Sequence, residues 1–347
     1  MLILGIESTC DETAAALVAD GHVVRSNIVA TQVELHAKYR GVVPEIACRA
    51  HIENILPVIG ESLSKAGVAP GDFSTVGAIA VAHRPGLIGS LLIGVTAAKT
   101  LAWALGKPLI GVDHVHAHLY SVVLESNRQP LMPAIGLVCS GGHTALYRVG
   151  HWLDVQLIGS TIDDAIGEAY DKVATVLGLG YPGGPILDTL AASGNPRAIR
   201  FPRTLLGRES LDFSFSGLKT AVLYHVRGVP RRGQNVKSLD FRPQPAGQQL
   251  HDIAASFQAA CIDVIVEKLK RAARQTGAKS IIIGGGVSAN KGLRAALSNF
   301  HVPVAFPPLQ YCTDNAAMSA GLAHVYADAG RVSDLALDAI PYSQFAR

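Results

Sequence analysis

Two stretches of this chain repeat each other at a constant offset of 131 residues. ILGIESTCDETAAALV (3–18) lies over AIGLVCSGGHTALYRV (134–149), matching Gly5 with Gly136, Thr13 with Thr144 and Ala14 with Ala145. Each copy reads as an apolar strand, a Gly/Ser/Thr turn and a second strand, a hairpin whose turn can grip a ligand. A second pattern recurs later in each half. VGAIAVAHRPG leads into a helix near 88–105, the strand KPLIGV and a helix opening at His114. AKSIIIGGGVSAN leads into a helix near 291–299, the segment HVPVAF and a helix opening near Thr313. The halves are copies of one α/β unit, so the fold expected is α/β, duplicated and two-domain, with a ligand cleft between the halves.

The length agrees, since 347 residues exceed what one hydrophobic core organises. The polar, proline-containing ESNRQP (125–130) is the expected boundary. It divides the chain into 1–130, 131–325 and a tail, 326–347, expected to pack back on the first half. Charged, Gly or Pro residues interrupt the apolar runs, so none is expected to span a bilayer. The start, MLILGIESTCDET, lacks a basic segment and a cleavage pattern and reads as a first strand rather than a signal peptide. Five cysteines, odd in number and without a C-x-x-C pair, argue against a disulfide framework and fit a reducing cytoplasm. The net charge is only +3, but residues 197–242 carry ten Lys/Arg against three Asp/Glu. That local surplus suits RNA phosphates as well as it suits a solvated loop. The segment 227–247 reads as an irregular basic loop.

The chemistry concentrates in a few stretches. In GVDHVHAHLYSV (111–122), Asp113 can cap a helix through 114–125, on which His114 and His118 share a face. Four apart, they can chelate one ion, while His116 points elsewhere. Hydrogen-bonded helix histidines are the plain alternative. A zinc-peptidase pattern would need Glu at 115, where Val115 stands. The corresponding turn of the second half, YCTDNAAMSAG, offers Asp314, either a helix cap or a third ligand brought in by the pseudo-symmetry.

Val138, Cys139, Ser140, Gly141 and Gly142 form a turn of small residues with free N–H groups, an anion cradle or an ordinary hairpin. Asp164, Glu168 and Asp171 fall at helical spacing on one face, where like charges need a partner. Gly183-Gly184 permits close backbone approach, with Asp188 beyond. SIIIGGGVSANKGLR (280–294) places three glycines between a strand and a helix, with Asn290 near the helix start. That suits a nucleotide, although it is neither G-x-x-x-x-G-K-[ST] nor G-x-G-x-x-G.

GIESTCDET, GVVPEIACRAH, SGGH, DDAIGEAYDKVATVLGLGYPGGP, FSFSGLKTA, GGGVSAN and YCTDNAAM occur here in the order found in the bacterial tRNA N6-adenosine threonylcarbamoyltransferases. The chain resembles that family from residue 5 to about 318. The resemblance implies the duplicated fold of actin, sugar kinases and heat-shock ATPases. It also implies transfer of the threonylcarbamoyl group from L-threonylcarbamoyl adenylate to N6 of adenosine 37 in tRNAs reading ANN codons. By position, His114, His118 and Asp314 would hold one divalent ion per subunit, iron first and zinc as the alternative. Val138–Gly142, Asp171, Gly184, Asp188 and Asn290 would bind the adenylate, and Asp11 and Glu12 would position the reacting groups.

The implied partners are tRNA, a catalytically silent paralogue pairing through the N-terminal half, and a small P-loop ATPase. The stretch 33–59 contains an amphipathic helix suited to that pairing or to core packing. Many relatives read His-His-Met-Glu-Gly-His where this chain has DHVHAH, so the ligand pair survives but the Glu does not. Competing readings are an ATP-dependent switch or sugar kinase of the same fold, a metallopeptidase, and a non-catalytic scaffold. The histidine pair counts against a Mg²⁺ nucleotide site, since Mg²⁺ prefers oxygen.

Overall fold

The computed structural model describes residues 1–69, 71–126, 128–229 and 244–342, so most of the basic loop expected at 227–247 lies outside them. The first sheet comprises β1 (Leu2–Glu7), β2 (Glu12–Ala19), β3 (Val23–Thr31), β4 (Val76–Arg84) and β5 (Leu109–Asp113), in the order β3-β2-β1-β4-β5. The second comprises β6 (Ala134–Cys139), β7 (Thr144–His151), β8 (Asp154–Ser160), β9 (Ser280–Gly284) and β10 (Val304–Ala305), in the order β8-β7-β6-β9-β10. The two orders are the same. In each, the first strand runs antiparallel to the second and parallel to the fourth. Gly5 faces Ala16 across β1/β2 and Gly136 faces Tyr147 across β6/β7. Both partners shift by 131, so the repeat in the sequence is also a repeat in hydrogen-bond register.

The helices complete five layers. Between β3 and β4 lie α1 (Val33–Ala37) and α2 (Pro44–Lys65), and between β4 and β5 lies α3 (Ile88–Leu105). The second half inserts α5 (Ile166–Val176), α6 (Gly183–Ala191), α7 (Ser216–Arg227) and α8 (Gly247–Thr276) between β8 and β9, then α9 (Lys291–Leu297). The last helix of each unit, α4 (His114–Tyr120) or α10 (Ala316–Asp328), enters the central layer. Alternation along β1 decides which core each residue joins. Ile3 faces the central layer with α4 and α10, whereas Leu4 and Ile6 face the outer layer of α2 and α3. On β6, Ile135 and Leu137 face the outer layer of α5 and α8.

The two central helices cross over. α10 packs on β1 and β2 of the first sheet, and α4 packs on β6 and β9 of the second. The matched glycines make this approach close. A Cβ on Gly5 would run into the Ala316 carbonyl and, at 2.9 Å, Ala320 Cβ; one on Gly136 would lie 2.8 Å from Leu119 Cδ1. Beyond α10 the chain returns to the first sheet, where Ser333 N–H donates to Leu109 and Ile340 N–H to His83.

Some expected bounds differ. α4 stops at Tyr120 and a 3-10 turn, Ser121–Val123, continues it. The helix expected near Thr313 opens at Ala316, and β10 is only two residues long. The stretch 33–59 is two helices, because Pro44 enters at the start of α2, where its missing N–H has no intrahelical use. α3 corrects the expectation about apolar runs: its 18 residues, with mean hydropathy 1.5, are long and apolar enough to cross a bilayer. Here it packs on β4 and α2, and its Lys99 Nζ donates to the Leu337 carbonyl.

Candidate metal centre and ligand cleft

Asp113 ends β5 and starts α4, its carboxylate accepting the N–H groups of Val115 (3.0 Å) and His116 (3.3 Å). The cap sets His114 and His118 on one face, their rings edge to face with centroids 4.6 Å apart. Asp314 comes from the other half. It does not cap α10, because Asn315 does, accepting Met318 N–H at 3.1 Å. The Asp314 carboxylate is thereby left for the site, with Oδ1 at 3.0 Å from His118 Nε2 and 3.6 Å from His114 Nε2. The three ligand atoms lie within 4.8 Å of one another. Two imidazoles from α4 and one carboxylate from the turn before α10 fit a single transition-metal ion with open positions.

A second ring of groups holds this set. His114 Nδ1 lies 3.2 Å from Glu7 Oε2 and 3.2 Å from Thr9 Oγ1, which leaves Nε2 facing Asp314. Glu7 is fully buried, and it also accepts from Thr9 N–H (2.9 Å) and from Ser319 Oγ on α10 (3.3 Å). A carboxylate behind a ligating histidine fixes its tautomer and raises its basicity. Burial disfavours charge on His114, yet Glu7 and Asp314 outweigh it and hold its pKa up at about 9. Burial likewise opposes charge on Asp314, and the two histidines hold it well below the usual carboxylate range.

The sequence reading missed Glu7, Thr9 and Ser319. The available signal was a carboxylate ending an otherwise apolar strand. His116 stands outside the group, its ring edge-on to Tyr147 at 6.4 Å. Burial, with Arg84, pushes its pKa down to about 3.

The turn Cys10–Glu12 faces the same cleft. Burial, followed by the charges of Asp314 and Asp11, pushes Glu12 up to about 10. Asp11 also bears on Asp171 and Tyr181, so these acids share one space. His143, also unremarked in the sequence, is the residue that the 131-residue offset lays on Glu12. Burial and the charges of His114 and His118 push its pKa down to about 4.

The proposed adenylate residues fall in three connected places. Val138 and Cys139 are buried at the end of β6, and Ser140 Oγ closes the next turn by accepting His143 N–H at 3.1 Å. A Cβ on Gly141 or Gly142 would meet nothing within 4 Å, so the turn is open. Gly167, at the start of α5, donates its N–H to Ser140 O (3.2 Å). On α5, Asp171 accepts Gly183 N–H at 2.7 Å and is bonded to Gly184 N–H, which joins α5 to the start of α6. Asp188, on α6, accepts from Gln258 Nε2 (3.0 Å) and from Lys291 N–H (3.1 Å).

Asn290 caps α9 through Leu293 N–H (2.8 Å) and donates to Gln258 Oε1 (2.8 Å). Gln258, which no motif marked, therefore ties Asp188 to Asn290. The expected acidic face resolves differently: Asp164 precedes α5, and Lys172 Nζ bridges it (2.6 Å) to Glu168 (2.8 Å). Asp171 turns the other way.

Comparison with known proteins agrees with this geometry. A family model described as tRNA N6-adenosine threonylcarbamoyltransferase matches residues 23–321. A protein of that name from Trichlorobacter lovleyi is 49% identical over 355 residues, covering 100% of this chain and 98% of its own. One from Moorella thermoacetica is 51% identical over 343 residues, covering 98% and 96%. Among solved structures, HypF from T. kodakarensis has a TM-score of 0.58 at 17% identity, covering 94% of this chain and 48% of that one. Component A of the Acidaminococcus fermentans (R)-2-hydroxyglutaryl-CoA dehydratase has a TM-score of 0.53 at 14% identity, covering 94% and 99%. These two likenesses concern the fold, which is the actin-like duplicated one.

Proposed function

Since the chain belongs to the tRNA N6-adenosine threonylcarbamoyltransferase family, we propose that it moves the threonylcarbamoyl group of L-threonylcarbamoyl adenylate onto N6 of adenosine 37 in tRNAs reading ANN codons. A bond forms between N6 and the carbamoyl carbon, the bond from that carbon to the phosphate oxygen breaks, and AMP leaves with the electron pair. The N6 proton passes to solvent. AMP is a good leaving group, so no protein nucleophile is required. The observation that carries this reading is the convergence of His114, His118 and Asp314 from opposite halves beside the open Ser140–Gly142 turn.

The roles follow from chemistry and position. His114, His118 and Asp314 hold one divalent ion per subunit, and their mixed nitrogen and oxygen donors favour iron, with zinc next. Such an ion supplies positive charge to the adenylate's oxygens. The turn Val138–Gly142 cradles the acyl phosphate, with Gly141 and Gly142 offering their N–H groups, since Ser140 N–H is taken by His143 O (2.8 Å) and Val138 and Cys139 lie in the paired strand β6. Asp171, Gly184, Asp188 and Asn290 line the adenosine side. Asp11 and Glu12, in the N-terminal turn whose charges bear on Asp314, position the reacting groups.

We divide the work by segment as well. Residues 1–130 supply the histidines and the partner face, 131–325 the adenylate turns and Asp314, and the tail 326–347, of which 343–347 lie outside the described residues, a strap on the first half through its residues up to 342. Ile52 and Leu56 on α2 and Ile88 and Leu92 on α3 leave an apolar face exposed, suited to the catalytically silent paralogue. The small P-loop ATPase would join that assembly, in the cytoplasm where tRNA is modified.

The test is a transfer assay with the chain, its partners, unmodified tRNA and threonylcarbamoyl adenylate, read as nucleosides by mass spectrometry. Threonylcarbamoyladenosine is expected from the wild type and not from His114→Ala or Asp314→Ala. Product from all three sinks the metal set. ATP hydrolysis without product moves the reading to a nucleotide switch.

A further inference from the structure

Residues 195–203 have no regular secondary structure, yet they are pinned along their length to α8. Asn195 N–H donates to Asp252 at 2.8 Å, and Ser256 Oγ both donates to Asn195 O (3.1 Å) and accepts Ile199 N–H (3.1 Å). Phe201 is buried, and Arg203 grips Asp263 through Nε (3.0 Å) and Nη2 (2.9 Å). Between these anchors Arg197 and Arg200 are exposed, and among the described residues neither pairs with a carboxylate. With Pro196, Ile199 and Pro202 they line a surface hollow of about 700 Å³. His225, at the end of α7, stands edge-on to Phe201 at 5.9 Å.

Where one arginine anchors the loop and two are left outward on a fixed backbone, the outward pair is preorganised for an anion. Guanidinium forks match phosphate oxygens, and a rigid support lowers the ordering cost of binding. Ser256, the anchor, is two residues along α8 from Gln258, which holds Asp188 and Asn290. Two residues is just over half a helical turn, so the arginines lie across the helix from the adenosine side of the cleft, roughly 10–12 Å away. The body of α8 stands between the two places, so the arginines face away from the adenylate and suit the backbone of a larger nucleic acid. A protein interface would be expected to show an exposed aromatic or aliphatic anchor, and here Phe201 is buried.

We propose that Arg197 and Arg200 are a docking surface for the tRNA phosphate backbone, outside the nucleotide that reacts. This rests on the reading that tRNA is the substrate. The test is fluorescence-anisotropy binding of unmodified tRNA to the full chain and to its Arg197→Glu/Arg200→Glu variant, with AMP binding measured on both. Arg274→Glu, on the last turn of α8, is the control.

The double variant should weaken tRNA binding about tenfold or more and flatten its salt dependence, with AMP affinity unchanged. A tRNA affinity unchanged, or changed no more than by Arg274→Glu, overturns the proposal. If poly-glutamate binding is lost instead, the surface belongs to an acidic protein. Wild-type chain that binds tRNA in this arginine-dependent way but makes no threonylcarbamoyladenosine would refute the transferase reading and leave the docking surface standing.

Discussion

Glu7 shows how one buried carboxylate organises the site. Its two oxygens reach His114, Thr9 and Ser319, which belong to α4, the β1–β2 turn and α10. Removing its charge while keeping its shape should leave the fold intact and release the imidazole of His114. Glu7→Gln is expected to weaken metal binding about 10- to 100-fold, measured by competition with a chelator and by metal analysis of the purified chain. Unchanged affinity would reduce Glu7 to a packing role. The site was only partly legible at this scale. His114 and His118 were visible by their spacing, and Asp314 by its place in the second copy. Glu7 was not, because an isolated acid at a strand end carries no spacing signal.

At the scale of elements, the crossing of α4 and α10 is what closes the metal set, and it depends on glycine in β1. A methyl at Gly5 would meet the backbone of Ala316, two residues from Asp314, and backbone cannot rotate away. Gly5→Ala should cost about 1–3 kcal/mol in urea unfolding, as overpacking does. It should also loosen metal binding by moving the start of α10. Gly184→Ala, where a Cβ meets nothing within 4 Å, is the contrast and should leave stability nearly unchanged. Equal effects would mean that the crossing tolerates slack. The split of 33–59 into α1 and α2 belongs to this scale too: Pro44 was readable, but which face of α2 is buried depended on the neighbours it met.

For the whole molecule, acid sensitivity follows from histidines buried as neutral rings. His116 is held down at about 3 and His143 at about 4 by burial, against about 6.5 in an unfolded chain. The folded pKa is the lower one, so the stability is present above about pH 6.5 and is lost as pH falls toward those values. His116 alone should contribute a loss of roughly 2 kcal/mol between pH 7 and pH 5. His116→Phe, which keeps a ring against Tyr147, should flatten that fall by the same amount. The measurement is the urea midpoint of both chains at pH 7 and pH 5, and parallel curves would contradict the assignment.

Although the third strand of each sheet and the helices α6 to α8 were not legible in the chain alone, the duplication, the hairpin and the later strand-helix-strand-helix order of each copy, the histidine pair and the glycine turns were. Those are local or periodic features, and a 131-residue offset survives translation into register because strand pairing repeats with the residues that form it. Tertiary structure alone decided that each unit's last helix crosses onto the other's sheet, that Asn315 rather than Asp314 caps α10, and that Glu7 and Gln258 tie the site together. These choices depend on contacts between residues 32 to 312 positions apart, or on a selection between chemically equivalent neighbours. There, packing selects one partner among several that composition leaves equal.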